Sequence, residues 1–179
     1  MDAVVINSGV AIFVVLCAVI VFRRVARDYE QCGRLTTLST SLEILIFVLQ
    51  GMTAGLYLGT EFTSGGLLVL AVVCLILGLA VLFVAMSGLG MRKSVGQDVS
   101  GLKDTGLYRY TRNPQIVAYG FAVLGFALLQ PSWWALVWIG LFAVIAGLMV
   151  RTEEVHLHRI YGADYERYCV RVPRYVGLR

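Results

Sequence analysis

Five long apolar stretches are the feature of this sequence that most constrains how the chain can fold. They cover residues 4–22, 42–59, 67–90, 116–130 and 133–150. A helix that crosses a bilayer needs about 20 consecutive apolar residues. Four of the stretches come close to or exceed that length, whereas the fourth would reach only about 22 Å as a helix. The pattern predicts one all-α domain over residues 1–179, a polytopic membrane protein with about five transmembrane helices.

The positive charges indicate how such a protein would be oriented. All 15 Lys and Arg residues lie in residues 23–34, 92–112 and 151–179. With five spans these segments share one side of the membrane, which the positive-inside rule identifies as the cytoplasm. The N-terminus of this multi-pass cell-membrane protein is therefore expected outside and the C-terminus in the cytoplasm. This topology explains the net charge of +4, and we infer no nucleic-acid partner.

Two further features bear on the arrangement of the spans. Gln130-Pro131-Ser132 breaks the helix and predicts a tight hairpin between the last two spans. Gly162 is expected to cap the last of them, and residues 163–171 to form a short amphipathic cytoplasmic helix. Tyr57, Trp133 and Trp134 are expected in the outer aromatic belt.

Glycine recurs every fourth residue in the second stretch, at Gly51, Gly55 and Gly59. Such a stripe on one helical face allows another helix to approach closely. It predicts an internal packing seam, with a homodimer interface as the alternative.

Polar side chains are concentrated in residues 91–115 and 151–179, both expected in the cytoplasm. Pro114 is expected in the first turn of the fourth span, a position that proline favours. Asn113 is then the predicted N-cap, with its side chain accepting from the free amides of that turn.

Glu153 and Glu154 directly follow the fifth stretch. Charges so close to hydrocarbon are costly unless they are paired. The hairpin brings the start of the fourth span beside the end of the fifth, so Arg109 or Arg112 is the expected partner. Arginine and glutamate at the ends of spans are more often simple anchors and surface ion pairs. His156 and His158 face different directions on a helix and have no third ligand nearby, so no metal site is predicted.

Two sequence blocks resemble the motifs of the membrane-integral methyltransferases, which include isoprenylcysteine carboxyl methyltransferases and phospholipid methyltransferases. The first block is Gly106-Leu-Tyr108-Arg109-Tyr110-Thr-Arg112-Asn113-Pro114, similar to G-x-Y-R-x-x-R-(H/N)-P. The second block comprises Arg151-Thr-Glu153-Glu154, Tyr161-Gly162-Ala-Asp-Tyr165-Glu-Arg-Tyr168 and Val172-Pro173-Arg174. The family often has tyrosine two residues after the proline. Here that residue is Ile116, and Tyr119 lies one helical turn later.

The resemblance implies S-adenosylmethionine (SAM) as the cofactor. By resemblance, the cofactor-binding residues are Gly106, Tyr108, Arg112, Asn113, Pro114, Gln115, Tyr119, Glu153, Glu154, Tyr165 and Tyr168. The catalytic candidates are Arg151, Glu154 and Arg112. Arg151 would orient the carboxylate or phosphate of an acceptor. Methyl transfer itself needs alignment and desolvation, without a metal or a covalent intermediate.

The acceptor implied by the resemblance is a lipophilic or prenylated molecule that enters from the inner leaflet, such as an isoprenylcysteine carboxylate. N-methylation of phosphatidylethanolamine is the alternative within this class. An NADPH-dependent reductase of the sterol type is a further alternative, although such proteins usually have more spans. A non-catalytic membrane subunit or small transporter is another. A transporter is expected to carry ionisable residues in mid-span, where this chain has only Gln50 and Thr53 as clearly polar residues.

Overall fold

The computed structural model describes residues 3–89 and 101–177, and these residues form helices joined by short connections, with no β-strand in either range. The helices are α1 (Ala3–Cys32), α2 (Thr37–Met52), α3 (Ala54–Tyr57), α4 (Gly65–Leu89), a 3₁₀ helix (Gly106–Arg109), α5 (Pro114–Leu129), α6 (Trp133–Tyr161) and α7 (Ala163–Arg171). The predicted all-α polytopic fold class is confirmed. Residues 91–100 of the first polar segment, with Arg92 and Lys93, lie outside the described residues, as does Arg179.

Four helical segments are long and apolar enough to cross a membrane: α1, α2 together with α3, α4, and α6. The short fourth stretch forms α5, which has only 16 residues. Two helices continue well beyond their apolar stretches, α1 to Cys32 and α6 to Tyr161. Their extensions still bury side chains such as Val25 and His156, so packing continues where the apolar run has ended.

The second apolar stretch contains a helix break at Thr53. The Thr53 hydroxyl donates to the carbonyl of Gln50 at 2.6 Å, and α2 ends there before the single turn of α3. A threonine hydroxyl that bonds to the backbone in this way competes with the regular helical pattern. At the other end of α2, the Thr36 side chain accepts from the Ser39 amide at 3.3 Å.

The main core lies where α1 packs against α2 and α6. Its buried side chains include Val14, Phe22 and Val25 of α1, Ile46 of α2 and Ile145 of α6. The apolar faces that point away from this core, such as Ile20 of α1, are exposed, as expected for helices surrounded by lipid.

Helices α4 and α5 approach each other closely. A Cβ on Gly78 would stand 2.8 Å from the Ala118 carbonyl oxygen, and a Cβ on Gly125 would stand 2.7 Å from the Leu75 side chain. The Gly51/Gly55/Gly59 stripe makes internal contacts at two of its three positions. A Cβ on Gly51 would stand 3.6 Å from the Tyr119 hydroxyl, and a Cβ on Gly59 would stand 2.5 Å from the Pro131 carbonyl oxygen. A Cβ on Gly55 would meet nothing within 4 Å, and the break at Thr53 separates Gly51 from the other two.

Tyr57 is fully buried, so its predicted place in an aromatic belt is wrong. Its hydroxyl donates to the Asn7 carbonyl at 2.5 Å, and its own carbonyl accepts from Ser132. Trp133 is 86% exposed, as a belt residue should be. These bonds tie the start of α1 to the turn between α5 and α6.

The opposite end of the bundle, which we call the polar end, is formed by the C-terminal ends of α1 and α6 and the N-terminal ends of α2 and α5. There the Tyr29 and His156 rings stack at 3.9 Å, and Glu30 pairs with Arg159 at 3.4 Å. Gly162 caps α6 with φ of 49°, as expected, and α7 follows directly.

Candidate active site at the polar end

The two sequence blocks meet at the polar end. The backbone amide of Arg112 donates to the Pro173 carbonyl at 3.0 Å. The Thr111 hydroxyl donates to the Arg174 carbonyl at 3.1 Å, and the Asn113 side-chain amide donates to the same oxygen at 3.0 Å. These bonds join the C-terminal tail (residues 172–177) to the segment that precedes α5.

Asn113 occupies the predicted N-cap position of α5, but its predicted hydrogen bond is wrong. Its side chain makes no capping bond to α5, because its amide is turned toward the tail. The Asn113 backbone amide instead donates to the Thr111 hydroxyl at 3.2 Å. Pro114 is buried at the start of the helix, where its missing N–H leaves no unsatisfied donor.

Glu154 lies at the centre of the site. Its Oε1 accepts from Arg112 Nη1 at 2.9 Å and from Arg174 Nε at 3.0 Å, and its Oε2 binds Arg174 Nη2. The side chains of Glu154 and Arg112 are only 10% and 13% exposed. The prediction that Arg112 or Arg109 pairs with this carboxyl segment is confirmed for Arg112, whereas Arg109 is exposed. The hydrogen bond with Glu154 raises the pKa of Arg174.

Arg174 was missed as a partner of Glu154. The only signal for it in the sequence is its place in the Val-Pro-Arg element of the second block. Cys169 was missed as well, and its sulfur lies 2.7 Å from Arg112 Nη1. Arg112 therefore contacts α6 through Glu154 and α7 through Cys169.

Three tyrosines enclose the site on the side of α7. Tyr165 and Tyr168 are 1% and 2% exposed, with ring centroids 6.0 Å apart. The Tyr168 hydroxyl donates to the Tyr108 carbonyl at 2.7 Å, which joins α7 to the 3₁₀ helix. Burial raises the pKa of all three phenols. They therefore remain neutral near physiological pH.

Glu153, Gln115 and Gly106 of the predicted set are also at the polar end. Glu153 is within electrostatic range of Tyr108 and Glu154, and it has no ion pair with any described residue. The buried Gln115 Nε2 has no hydrogen-bond partner in the described part of the chain. Gly106 begins the 3₁₀ helix with φ of 63°, a backbone conformation that favours glycine.

Tyr119 and Arg151 are not brought into this cluster. The Tyr119 hydroxyl lies deeper in the bundle, 2.9 Å from Gln50 Oε1 and 3.2 Å from the Phe47 carbonyl. Arg151 is exposed and lines a cavity between α6 and α1 with Tyr29 and Glu30, within electrostatic range of Tyr175. Their predicted roles in cofactor binding and catalysis remain predictions.

The residues at the polar end suit a ligand that carries both charge signs. Arg112 Nε is buried without a hydrogen-bond partner among the described residues, and together with Gln115 it offers donors to a carboxylate. Glu153 offers an acceptor for an ammonium or hydroxyl group, since Glu154 is already bound by two guanidinium groups. Of the three tyrosines, Tyr108 is only partly buried, and its ring offers a face that attracts cations.

The fold and this site define a polytopic helical membrane protein with a cluster of charged and polar side chains at one end of its bundle. The family model of the phospholipid methyltransferases matches residues 66–164, which is more than half of the chain. The protein belongs to this family and is a membrane methyltransferase, so the resemblance noted in its sequence is confirmed. The matched range contains the first block together with Glu153 and Glu154, and it ends before Tyr165. No curated protein and no solved structure matches the chain.

Proposed function

We propose that the protein transfers the methyl group of SAM to a lipid-soluble acceptor at the cytoplasmic face of the membrane. The observation that carries the proposal is the convergence of both sequence blocks on Glu154, in a member of a methyltransferase family. Glu154 joins Arg112 of the first block to Arg174 of the second. A bundle held together only by its apolar faces would not need this paired charge at the membrane boundary.

The residues at the polar end fit SAM group by group. SAM supplies an activated methyl group on a positively charged sulfur. Arg112 and Gln115 offer buried donors for its carboxylate, and charge-assisted bonds of this kind are strong. Glu153 is suited to the ammonium or the ribose hydroxyls. The buried rings of Tyr165 and Tyr168 exclude water from this side of the site. The partly buried ring of Tyr108 can attract the positively charged sulfur by cation–π attraction.

Glu154 acts in this proposal as a positioning residue. Both of its oxygens are bound by guanidinium groups, so it is not free to take a proton from an acceptor. Its function is to hold Arg112 toward the cofactor and Arg174 toward the acceptor. Methyl transfer from sulfur requires mainly alignment of the acceptor atom and a dry site, which these fixed side chains and the buried tyrosines supply.

The acceptor that we favour carries a carboxylate, as an isoprenylcysteine does. An ionised carboxylate needs no base to accept a methyl group. Two arginines at this site, Arg112 and Arg174, share the single carboxylate of Glu154, which favours a further anion. Arg151, which is exposed and within electrostatic range of Tyr175, would orient it. The second candidate is the amine of a phospholipid, which the match to the phospholipid methyltransferases favours. An amine must lose a proton, and Glu153 is the carboxylate best suited to accept it.

Label transfer tests both the reaction and the acceptor class. The purified protein is reconstituted in nanodiscs with a membrane lipid extract and incubated with SAM that carries a tritiated methyl group. We expect label in the lipid fraction. Alkali releases it as methanol if the product is a carboxyl ester, whereas an N-methyl product is stable to alkali. A folded protein that labels no lipid would overturn the proposal.

A matched pair of arginine variants tests the assignment of Arg151. Arg151→Ala should slow label transfer about tenfold or more, the effect of losing one charge-assisted hydrogen bond. Arg167→Ala should leave the rate unchanged, because Arg167 is 72% exposed and pairs only with Asp164 of its own helix among the described residues. Equal rates for the two variants would remove Arg151 from the acceptor site.

A further inference from the structure

The cavity that Arg151 lines between α1 and α6 shares no residue with the ion pairs of Glu154. Its volume is about 230 Å³, smaller than the roughly 300–1,000 Å³ typical of sites that enclose a whole small molecule. A space of this size suits a single charged head group. Its lining residues include Tyr29 and Glu30 of α1 and Arg151, His156 and Arg159 of α6.

The cavity lies where the apolar part of α6 ends. Arg151 is the first residue after the apolar stretch of residues 133–150. Arg159 follows eight residues later, about 12 Å further along the helix axis, and both side chains are exposed. The head groups of membrane lipids lie just outside the hydrocarbon core, which places their phosphates at the level of Arg151.

The charges that line the cavity are unbalanced. Arg151 has no ion pair with a described residue, and Arg159 pairs with Glu30 at 3.4 Å. Both members of this pair are more than half exposed, so their attraction is weak and Arg159 can turn to another anion. Two guanidinium groups therefore face one carboxylate. Guanidinium groups bind phosphate through paired, charge-assisted hydrogen bonds.

His156 forms a buried polar wall of the cavity. Its ring is 3% exposed and stacks on Tyr29 with the ring centroids 3.9 Å apart, which fixes its orientation. The backbone of Gly33 lies near the ring, but neither ring nitrogen makes a hydrogen bond of ordinary geometry with a described residue. Imidazole carries at least one N–H, and a buried donor without a partner is costly. An anion in the cavity would accept a hydrogen bond from this ring.

We propose that the cavity between α1 and α6 binds the phosphate group of a membrane phospholipid, held by Arg151, Arg159 and His156. Basic pockets between transmembrane helices are suited to anionic head groups. A lipid is favoured over a soluble phosphate because the membrane holds lipid phosphates at this level of the bundle. The inference does not rest on the proposed function. Arg151 is also our candidate for orienting the acceptor, so the test uses Arg159 and Glu30, which have no part in methyl transfer.

Titration with short-chain lipids tests the proposal. The detergent-purified protein is titrated by calorimetry with dioctanoyl phosphatidylglycerol, with dioctanoylglycerol and with inorganic phosphate. Phosphatidylglycerol carries the phosphate but no amine or carboxylate that could accept a methyl group. We expect it to bind about tenfold or more tightly than either of the others. Dioctanoylglycerol lacks the group that the arginines bind, and inorganic phosphate lacks the apolar chains.

Two charge variants should shift the affinity for phosphatidylglycerol in opposite directions. Arg159→Ala should weaken binding about tenfold, because it removes a charge-assisted hydrogen bond. Glu30→Gln should tighten binding about two- to fivefold, because it removes the carboxylate that competes for Arg159. The matched controls are Arg167→Ala and Glu166→Gln, on exposed residues of α7 that do not line the cavity. Both controls should bind the lipid as the wild type does, and thermal unfolding checks that all four variants are folded.

Each contrary outcome overturns a stated part of the proposal. If dioctanoylglycerol binds as tightly as phosphatidylglycerol, the cavity does not recognise phosphate. If inorganic phosphate binds as tightly as the lipid, the site is one for a soluble anion and not for a lipid. If Arg159→Ala and Glu30→Gln shift the affinity in the same direction, or bind as their controls do, the lipid binds elsewhere. No titration contains SAM, so a failure of the proposed function would leave these results unchanged.

Discussion

Replacing Glu154 by glutamine removes the negative charge that pairs with Arg112 of the first block and with Arg174 of the second. The side chain keeps its shape, but its amide group can no longer balance the guanidinium groups of Arg112 and Arg174. Arg112 is only 13% exposed, so water cannot easily replace its lost partner. Arg174 is 44% exposed and can turn into the solvent.

The expected loss of stability follows from these exposures. Breaking a buried ion pair by removing one partner costs about 3–5 kcal/mol. The exposed Arg174 adds little, because pairs that solvent can reach contribute about 0–1 kcal/mol. A loss of about 3 kcal/mol lowers the Tm of a chain of this size by about 6–12 °C.

Thermal unfolding in detergent measures this shift, and Glu30→Gln is the matched control. Glu30 pairs with Arg159 at 3.4 Å, but both side chains are more than half exposed, so its Tm should fall by less than about 4 °C. The double variant Glu154→Gln/Arg112→Gln should recover part of the loss, because no unpaired buried charge remains. The reasoning would be refuted if Glu154→Gln and Glu30→Gln had the same Tm.

Two further predictions concern the packing around the site. Gly78→Ala should destabilise the protein by about 1–3 kcal/mol, because the new Cβ would stand 2.8 Å from the Ala118 carbonyl oxygen. The control is Gly9→Ala, whose Cβ would meet nothing within 4 Å, and it should leave the stability unchanged or raise it. Equal Tm values for Gly78→Ala and Gly9→Ala would contradict the close approach of α4 and α5. Tyr168→Phe leaves the carbonyl in the 3₁₀ helix without its donor and should cost about 1–2 kcal/mol. The control Tyr110→Phe, on a side chain that is 71% exposed, should not shift the Tm, and a shift as large as that of Tyr168→Phe would refute the role of this bond.

The fold class could be predicted from the sequence because an apolar run long enough to span a bilayer is typical of a transmembrane helix. The details that depend on particular contacts could not. The break at Thr53 arises from one hydroxyl that bonds to its own helix, and threonine occurs in many unbroken helices. The seam between α4 and α5 uses Gly78 and Gly125, whereas the regular stripe in the second stretch was the more conspicuous pattern. Spacing alone does not reveal which glycines another helix approaches.

The candidate site could be predicted in part for a physical reason. Glu154 follows an apolar run and needs a partner, and the hairpin brings only the start of α5 near it. Arg109 and Arg112 were therefore the expected partners, and Arg112 is the one that pairs with Glu154. This argument could not identify Arg174, because the course of the tail after α7 depends on hydrogen bonds from Thr111 and Asn113 that no periodic pattern signals. Tyr119 was assigned to the site by resemblance, in place of the tyrosine that the family often has two residues after the proline. Its hydroxyl lies within hydrogen-bond distance of Gln50 and Phe47 in α2.

Binding of SAM is the measurement that tests the central claim most directly. The purified protein in detergent is titrated with SAM, with S-adenosylhomocysteine and with NADPH by calorimetry, and its folding is checked by thermal unfolding. We expect micromolar binding of the first two and none of NADPH. The affinity for SAM should fall about tenfold or more in Glu153→Gln and should not change in Glu166→Gln, a control on an exposed residue. A folded protein that binds neither SAM nor S-adenosylhomocysteine would contradict the account.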